Sequence, residues 1–189
     1  MSKFKLMAEA ALDHLERKIG DISVLELRGR ALVSLAIPNN QRDKVAKALA
    51  DNYKASIPAL GQSTSSVVDN THFLGLQSEQ FFALFEYAGD RPVEHLSTKL
   101  GGIAYLCDQS DSWVMLRISG ASCRQALERI CPIDLHPTAF PQGAVARTSM
   151  EHLAAIILHE DEDQYLLLSP RSSARSFLHA ITCSIENIS

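Results

Sequence analysis

The stretch Gln164-Tyr165-Leu166-Leu167-Leu168-Ser169-Pro170, followed by Arg171-Ser172-Ser173-Ala174-Arg175-Ser176-Phe177-Leu178-His179-Ala180-Ile181-Thr182-Cys183-Ser184-Ile185, decides the fold. Its first part is an apolar run of strand length, closed by a proline that cannot continue a central strand. In the second part Ala174, Phe177, Leu178, Ile181 and Ile185 recur at helical spacing and form one face. The unit is a strand, a tight turn and an amphipathic helix. Ser169 or Ser172 is the expected cap, its hydroxyl oxygen accepting from a free backbone N–H.

Three earlier stretches repeat this unit. Residues 31–37 are an apolar strand ended by Pro38, and Asn40 is expected to cap a helix with Val45, Ala48, Leu49 and Tyr53 on one face. Residues 81–87 are aromatic-rich, as strands are. Pro92 then suits a first helical turn, Val93, Leu96 and Leu100 line a face, and Gly101-Gly102 stops the helix. Residues 112–120 form the third strand, before a helix with Cys123, Ala126, Leu127 and Ile130 inward and Pro132 as its end. Further strands are expected at 23–27, 73–76, 103–107, 144–148 and 152–158, with 160–163 a solvated acidic hairpin turn.

Short strands and helices in mixed order indicate an α+β fold, with helices covering one face of a largely antiparallel sheet. The four units group into two pseudo-repeated halves, about 1–70 and 71–189. Residues 61–66 are the candidate linker, too short to divide the chain, so 1–189 reads as a single domain.

Composition excludes several classes. The 189 residues carry 18 Lys+Arg against 22 Asp+Glu, a net charge of −4, which argues against nucleic acid as the main partner. At 46% hydrophobic and 21% charged the chain is globular. No run reaches the roughly 18 apolar residues of a membrane span. Glu9 and Asp13 interrupt the place where an export signal would need its apolar core, so the expected location is the cytoplasm. The cysteines, Cys107, Cys123, Cys131 and Cys183, form no CxxC pair and read as reduced thiols.

A catalytic site needs a nucleophile, a base and a stabilising group that converge. Cys131, Asp134 and His136 are close in sequence, but they sit in a turn bounded by Pro132 and Pro137 with no nucleophile signature around them. Cys123 lies in a first helical turn but also on that helix's apolar stripe, and reads as a buried thiol. Arg171, Ser172 and Ser173 at a helix start can hold an anion, or Arg171 can pair with a carboxylate. Arg147 at a strand end reads first as an ion-pair partner. His152 and His159 fall on opposite faces of one expected strand, while His14 and His179 read as helix-surface residues, so no metal set emerges. No glycine loop of dinucleotide or Walker type is present.

An ordered series of motifs carries a family resemblance. It runs through Leu74-Gly75-Leu76, 79–84, Trp113 to Ala121, Cys131-Pro132-Ile133-Asp134-Leu135-His136-Pro137, Phe140-Pro141-Gln142-Gly143, Arg147-Thr148, 164–168 and Arg171-Ser172-Ser173-Ala174. Over residues 73–181 the chain resembles the gamma subunits of heterotetrameric sarcosine oxidase, departing at Ser173, where the family pattern has a bulky residue. The resemblance implies a fold similar to the folate-binding domain of the glycine-cleavage T protein, an aminomethyltransferase. It also implies alpha, beta and delta subunits as partners. The alpha subunit would bind NAD and tetrahydrofolate, the beta subunit FAD, the delta subunit zinc, with a covalent FMN between alpha and beta.

On that resemblance the expected role is an accessory, non-catalytic subunit binding no cofactor or metal itself. Asp134, His136, Phe140, Arg147 and Arg171 are the candidate motif or interface residues. The alternative is a stand-alone folate or one-carbon binding module, for which Asp108, Asp111 and Asp134 are the candidate pterin-binding carboxylates. A third reading is a thiol enzyme using Cys131 or Cys123.

Overall fold

The strand Arg30–Ala36 is apolar on both sides: Ala31, Val33 and Leu35 enter one core while Leu32 enters another. A strand buried on both faces lies between two layers, and that fixes the architecture. The computed structural model describes residues 9–188. Residues 1–8, part of the stretch read against an export signal, lie outside the described residues.

The strands are β1 (Glu16–Ile19), β2 (Ile22–Glu26), β3 (Arg30–Ala36), β4 (Ser63–Ser66), β5 (Thr71–Leu74), β6 (Gln80–Glu86), β7 (Tyr105–Asp108), β8 (Trp113–Ser119), β9 (Val145–Met150), β10 (Leu153–Asp161) and β11 (Gln164–Pro170). The helices are α1 (Arg42–Tyr53), α2 (Pro92–Leu100), α3 (Cys123–Glu128) and α4 (Ala174–Glu186). One sheet runs β1-β2-β8-β11-β10-β9 and the other β4-β5-β6-β3-β7, and every pairing in both is antiparallel.

The two sheets are stacked face to face. Leu32, Leu74, Phe82 and Leu84 from the five-stranded sheet meet Met115, Ile156, Leu158, Leu166 and Leu168 from the six-stranded one. The outer face of the first carries α1 and α2 through Val45, Leu49, Tyr53, Leu96 and Leu100. The outer face of the second carries α3 and α4 through Cys123, Ala126, Leu127, Phe177, Ile181 and Ile185. The layers therefore run helix, sheet, sheet, helix: the expected α+β fold of antiparallel sheets, with helices packed on one face of each.

Both sheets follow one plan. The series β3, α1, β4, β5, β6, α2, β7 corresponds to β8, α3, β9, β10, β11, α4, with β2 in the place of β7 beside the first strand. The last strand of the second series thus comes from the N-terminal part of the chain. Residues 30–108 build the whole first sheet, across residue 70.

Several local expectations are corrected. Residues 61–66 are not a linker: Ser63–Ser66 is an edge strand, polar because it lies at a rim. β1, Glu-Arg-Lys-Ile, has no apolar alternation to betray it because it too is an edge strand, largely exposed. Asn40 does not cap α1; it turns the chain at φ 60° and the helix starts after Gln41 without a side-chain cap. Nor does Ser169 or Ser172 cap α4. A 3-10 turn, Arg171–Ser173, leads into it, and the buried Ser169 hydroxyl donates to the Ala154 carbonyl at 2.9 Å. His14 lies in a turn at φ 65°, not on a helix. His152 is not on β10 but in its hairpin turn, where Glu151 and His152 both have positive φ, as a two-residue hairpin requires.

Candidate functional site

Alternation carries each sheet's inner face beyond its apolar centre. Two residues from Leu32, Leu74, Met115, Leu158 and Leu166 stand Arg30, His72, Arg117, Glu160 and Gln164, on the same face of their strands. Arg117 donates twice to Glu160, Nε at 2.6 Å and Nη2 at 3.0 Å, and Gln164 adds a third bond at 3.1 Å. The Glu160 side chain is 6% exposed, so the acidic stretch 160–163 is a solvated turn only from Asp161 onward. The bond to Glu160 raises the Arg117 pKa further, against desolvation. Burial lowers the His72 pKa, with Arg30 and Arg117 adding to it and Glu160 opposing.

At the other end the inner faces part around a cleft of about 220 Å³, lined by Ser34, Gln80, Phe82, Gln109, Trp113 and Arg147 among others. The Arg147 guanidinium lies 5.8 Å from the Phe82 ring centre, and Phe82 meets Trp113 edge-on at 6.2 Å. Arg147 is thus a cation over an aromatic ring, not the ion-pair partner first expected. The cleft presents a cation, aromatic rings and neutral amides, a set suited to binding rather than to moving protons.

The motif 131–137 forms a turn that buries Cys131 and Leu135 and exposes Asp134 and His136. Asp134 Oδ1 accepts from the His136 backbone N–H at 2.9 Å, and His136 Nδ1 lies 2.8 Å from the Thr138 hydroxyl. The His136 carbonyl accepts from Ala139 and Phe140, both at 2.8 Å. Phe140 is buried, and its carbonyl accepts from His159 Nδ1 at 2.8 Å. His159 stacks between Phe140 and Tyr165, at 6.3 and 4.6 Å between centroids. Asp134 and His136 therefore shape the turn that seats Phe140 in the core. Arg171, expected to hold an anion or a carboxylate, donates to the Glu9 backbone carbonyl instead. Glu26 binds the same N-terminal stretch, accepting from the N–H groups of Leu12 (3.1 Å) and His14 (3.0 Å).

Burial, with the nearby Asp163 charge second, pushes the Cys123 thiol up to about 11, and burial also raises Cys131. Neither is primed as a nucleophile at neutral pH, which corrects the thiol-enzyme reading. Asp108, Asp111 and Asp134 are all exposed, so none is the buried carboxylate a pterin pocket would need. Among the described residues no three His, Cys, Asp or Glu side chains gather as metal ligands.

One cluster escaped the sequence reading. Asp69 Oδ2 accepts from His95 Nε2 at 2.7 Å and Lys99 Nζ at 2.6 Å. Burial works against its ionisation, but these two bonds prevail and hold the carboxyl below its ordinary value. His95 stacks on Phe85, and Lys99 lies over Tyr53. The spacing of His95 and Lys99 on one helix was the available signal; their partner, 26 residues upstream of His95, had none.

A sequence profile described as "Sarcosine oxidase, gamma subunit family" matches residues 86–185. The sarcosine oxidase subunit gamma of Corynebacterium sp. (strain P-1) is 25% identical over 126 residues, 67% of this chain and 62% of that protein. That of Arthrobacter sp. is 23% identical over 121 residues, 64% of this chain and 60% of that protein. The aligned part thus spans about three fifths of the length of these curated relatives. Among solved structures, a chain of the heterotetrameric sarcosine oxidase from Corynebacterium sp. U-96, in complex with pyrrole 2-carboxylate, superposes with a TM-score of 0.76 at 21% identity, covering 89% of this chain and 87% of that one. The glycine cleavage system aminomethyltransferase T from Bartonella henselae superposes with a TM-score of 0.58 at 14% identity, over 82% of this chain and 44% of its own. At these identities the two structures speak for the fold alone.

Proposed function

The chain belongs to the sarcosine oxidase gamma subunit family, and from that membership we propose that it is an accessory, non-catalytic subunit of a heterotetrameric sarcosine oxidase. In this reading the assembly converts sarcosine and oxygen to glycine and hydrogen peroxide, and passes the one-carbon unit to tetrahydrofolate as 5,10-methylenetetrahydrofolate. Its partners are the alpha, beta and delta subunits, which carry FAD, FMN, NAD, tetrahydrofolate and zinc, and it works in the cytoplasm. No described helix is long and apolar enough to cross a membrane.

The observation that carries the reading is the family match over residues 86–185, which takes in α2, β7, β8, α3, β9, β10, β11 and nearly all of α4. Two features support it: thiols raised by burial, and candidate residues engaged in turns and backbone bonds. The test is purification from the native source through a tag on this chain. A flavin spectrum and sarcosine-dependent oxygen uptake in the tagged fraction, with folate binding to the assembly but not to the chain alone, is the expected result. A tagged chain free of other subunits would overturn the proposal.

A further inference from the structure

In the six-stranded sheet, the strand beside β8 is β2, and β2 is covered along its outer edge by β1. In the five-stranded sheet the corresponding strand is β7, and among the described residues no strand pairs with its outer edge. One plan thus leaves a vacant strand position. The Gln109 N–H donates to the Leu32 carbonyl at 2.8 Å, placing the backbone groups of Cys107 and Tyr105 toward β3 as well. Those of Leu106 and Asp108 therefore point outward at the open edge.

Natural sheets guard such edges with lysine, proline, bulges or a covering segment. β1 is guarded by Glu16, Arg17 and Lys18, and β4 consists of hydroxyl side chains. The approach to β9 is closed where Gln62 bridges Ala144. β7, Tyr-Leu-Cys-Asp, has neither lysine nor proline and carries a charge only at its last residue, Asp108, and Tyr105 is 71% exposed. The charge beside it is acidic: Asp108 and Asp111 are exposed and have no salt-bridge partner among the described residues, while the nearby Lys99 is taken by Asp69.

We infer that β7 receives an antiparallel strand from a larger subunit of the assembly proposed above, a reading on which this inference rests. That segment places basic side chains toward Asp108 and Asp111 and an apolar one against Tyr105. The backbone of Leu106 and Asp108 supplies the pairing, as in strand addition generally.

The experiment compares the free chain with the purified assembly by amide hydrogen exchange, and replaces Tyr105 by the photo-crosslinking p-benzoylphenylalanine. The Leu106 and Asp108 amides should exchange at least about tenfold more slowly in the assembly. The crosslink should fall within an extended segment of a larger subunit in which basic and apolar residues alternate. Tyr105→Lys, an exposed change that leaves the fold intact, should weaken association by about tenfold through like charge. If the chain co-purifies with its partners while both amides exchange as before, this inference falls and the family role stands. A crosslink to a second copy of the chain also overturns it. If no partner co-purifies, the functional reading fails first.

Discussion

Gly61 and Gly143 occupy the same place in the two sheets, each just before its sheet's rim strand, and each binds the other's strand. The Gly61 carbonyl accepts from Val145 N–H at 3.0 Å, and the Gly143 carbonyl accepts from Ser63 N–H at 2.7 Å. Each also donates within its own sheet, Gly61 to Gly75 and Gly143 to His159, both at 2.8 Å. Their φ values, 77° and 85°, lie in the region that favours glycine. This reciprocal clasp joins the sheets along one rim.

Replacing either clasp glycine by alanine should cost about 1–2 kcal/mol, from backbone strain alone. Space is not limiting, since an added Cβ meets its nearest atom at 3.8 Å in Gly61 and 3.7 Å in Gly143. Gly75→Ala should be far worse, because its Cβ would lie 2.0 Å from the Ala59 carbonyl oxygen. Urea unfolding followed by Trp113 fluorescence ranks the three; equal losses would refute the rigid contact at Gly75.

The Arg117–Glu160 pair is bidentate and largely buried on the Glu160 side, with side chains 26% and 6% exposed. Losing one partner of a buried pair costs about 3–5 kcal/mol, and the partial exposure of Arg117 reduces that to about 2–3. Arg117→Met and Glu160→Gln should each destabilise by about this much, and the double variant by less than their sum. Additive losses in chemical denaturation would show the two side chains to be energetically independent.

His72 gives a pH dependence with a defined sign. Its folded pKa lies below the ordinary 6.5 because burial disfavours the charged ring. Below pH 6.5 the unfolded chain therefore binds more protons than the folded one, and stability rises with pH there. The contribution is complete above pH 6.5 and is lost as pH falls through the folded value. In urea titrations between about pH 5 and 7.5, His72→Gln should flatten the slope; an unchanged slope would assign it elsewhere.

Phe177 is fully buried between α4 and its sheet. Truncation to alanine should cost about 3–5 kcal/mol, lowering the yield of assembled complex while leaving turnover per flavin near wild type. Glu162→Ala, at an exposed turn, should change neither. Gel filtration with activity per flavin separates the outcomes, and a Phe177→Ala complex that assembles fully but turns over slowly would contradict a scaffold role.

Thiol reactivity should follow burial. Cys107 is exposed and Cys183 half-buried, whereas Cys123 and Cys131 are buried. With a pKa of about 11, the Cys123 thiolate is on the order of a thousandth of the population at pH 8. Iodoacetamide labelling read by mass spectrometry should modify Cys107 first and spare Cys123 and Cys131 until the chain unfolds. Early labelling of Cys123 would require a different environment for it.

The sequence was most readable where burial is one-sided and periodic. β8, β11 and α4 appeared within a residue or two because Phe177, Ile181 and Ile185 on one side, and Leu166 to Leu168 on the other, have no other use. Two of the four rim strands were invisible: Ser63–Ser66 and Glu16–Ile19 are polar because they lie at an edge, so their composition matches that of loops. Two-sheet packing was legible in principle, since β3 and β6 are apolar at consecutive positions, but choosing between one thick layer and two requires knowing the partner. The roles of Asp134 and Arg171 were beyond reach because their partners are backbone atoms, which leave no trace in residue type.

The borrowed strand has a consequence for synthesis. The five-stranded sheet comes from the continuous segment 30–108 and can assemble as that segment leaves the ribosome. β2 emerges before it, yet its neighbour β8 follows about ninety residues later, on the order of ten seconds at ordinary elongation rates. Throughout that interval Ile22 and Val24, each 1% exposed in the finished protein, have no sheet to join. The charged hairpin partner Glu16-Arg17-Lys18 covers only one edge of β2, so the edge that receives β8 stays open through that interval.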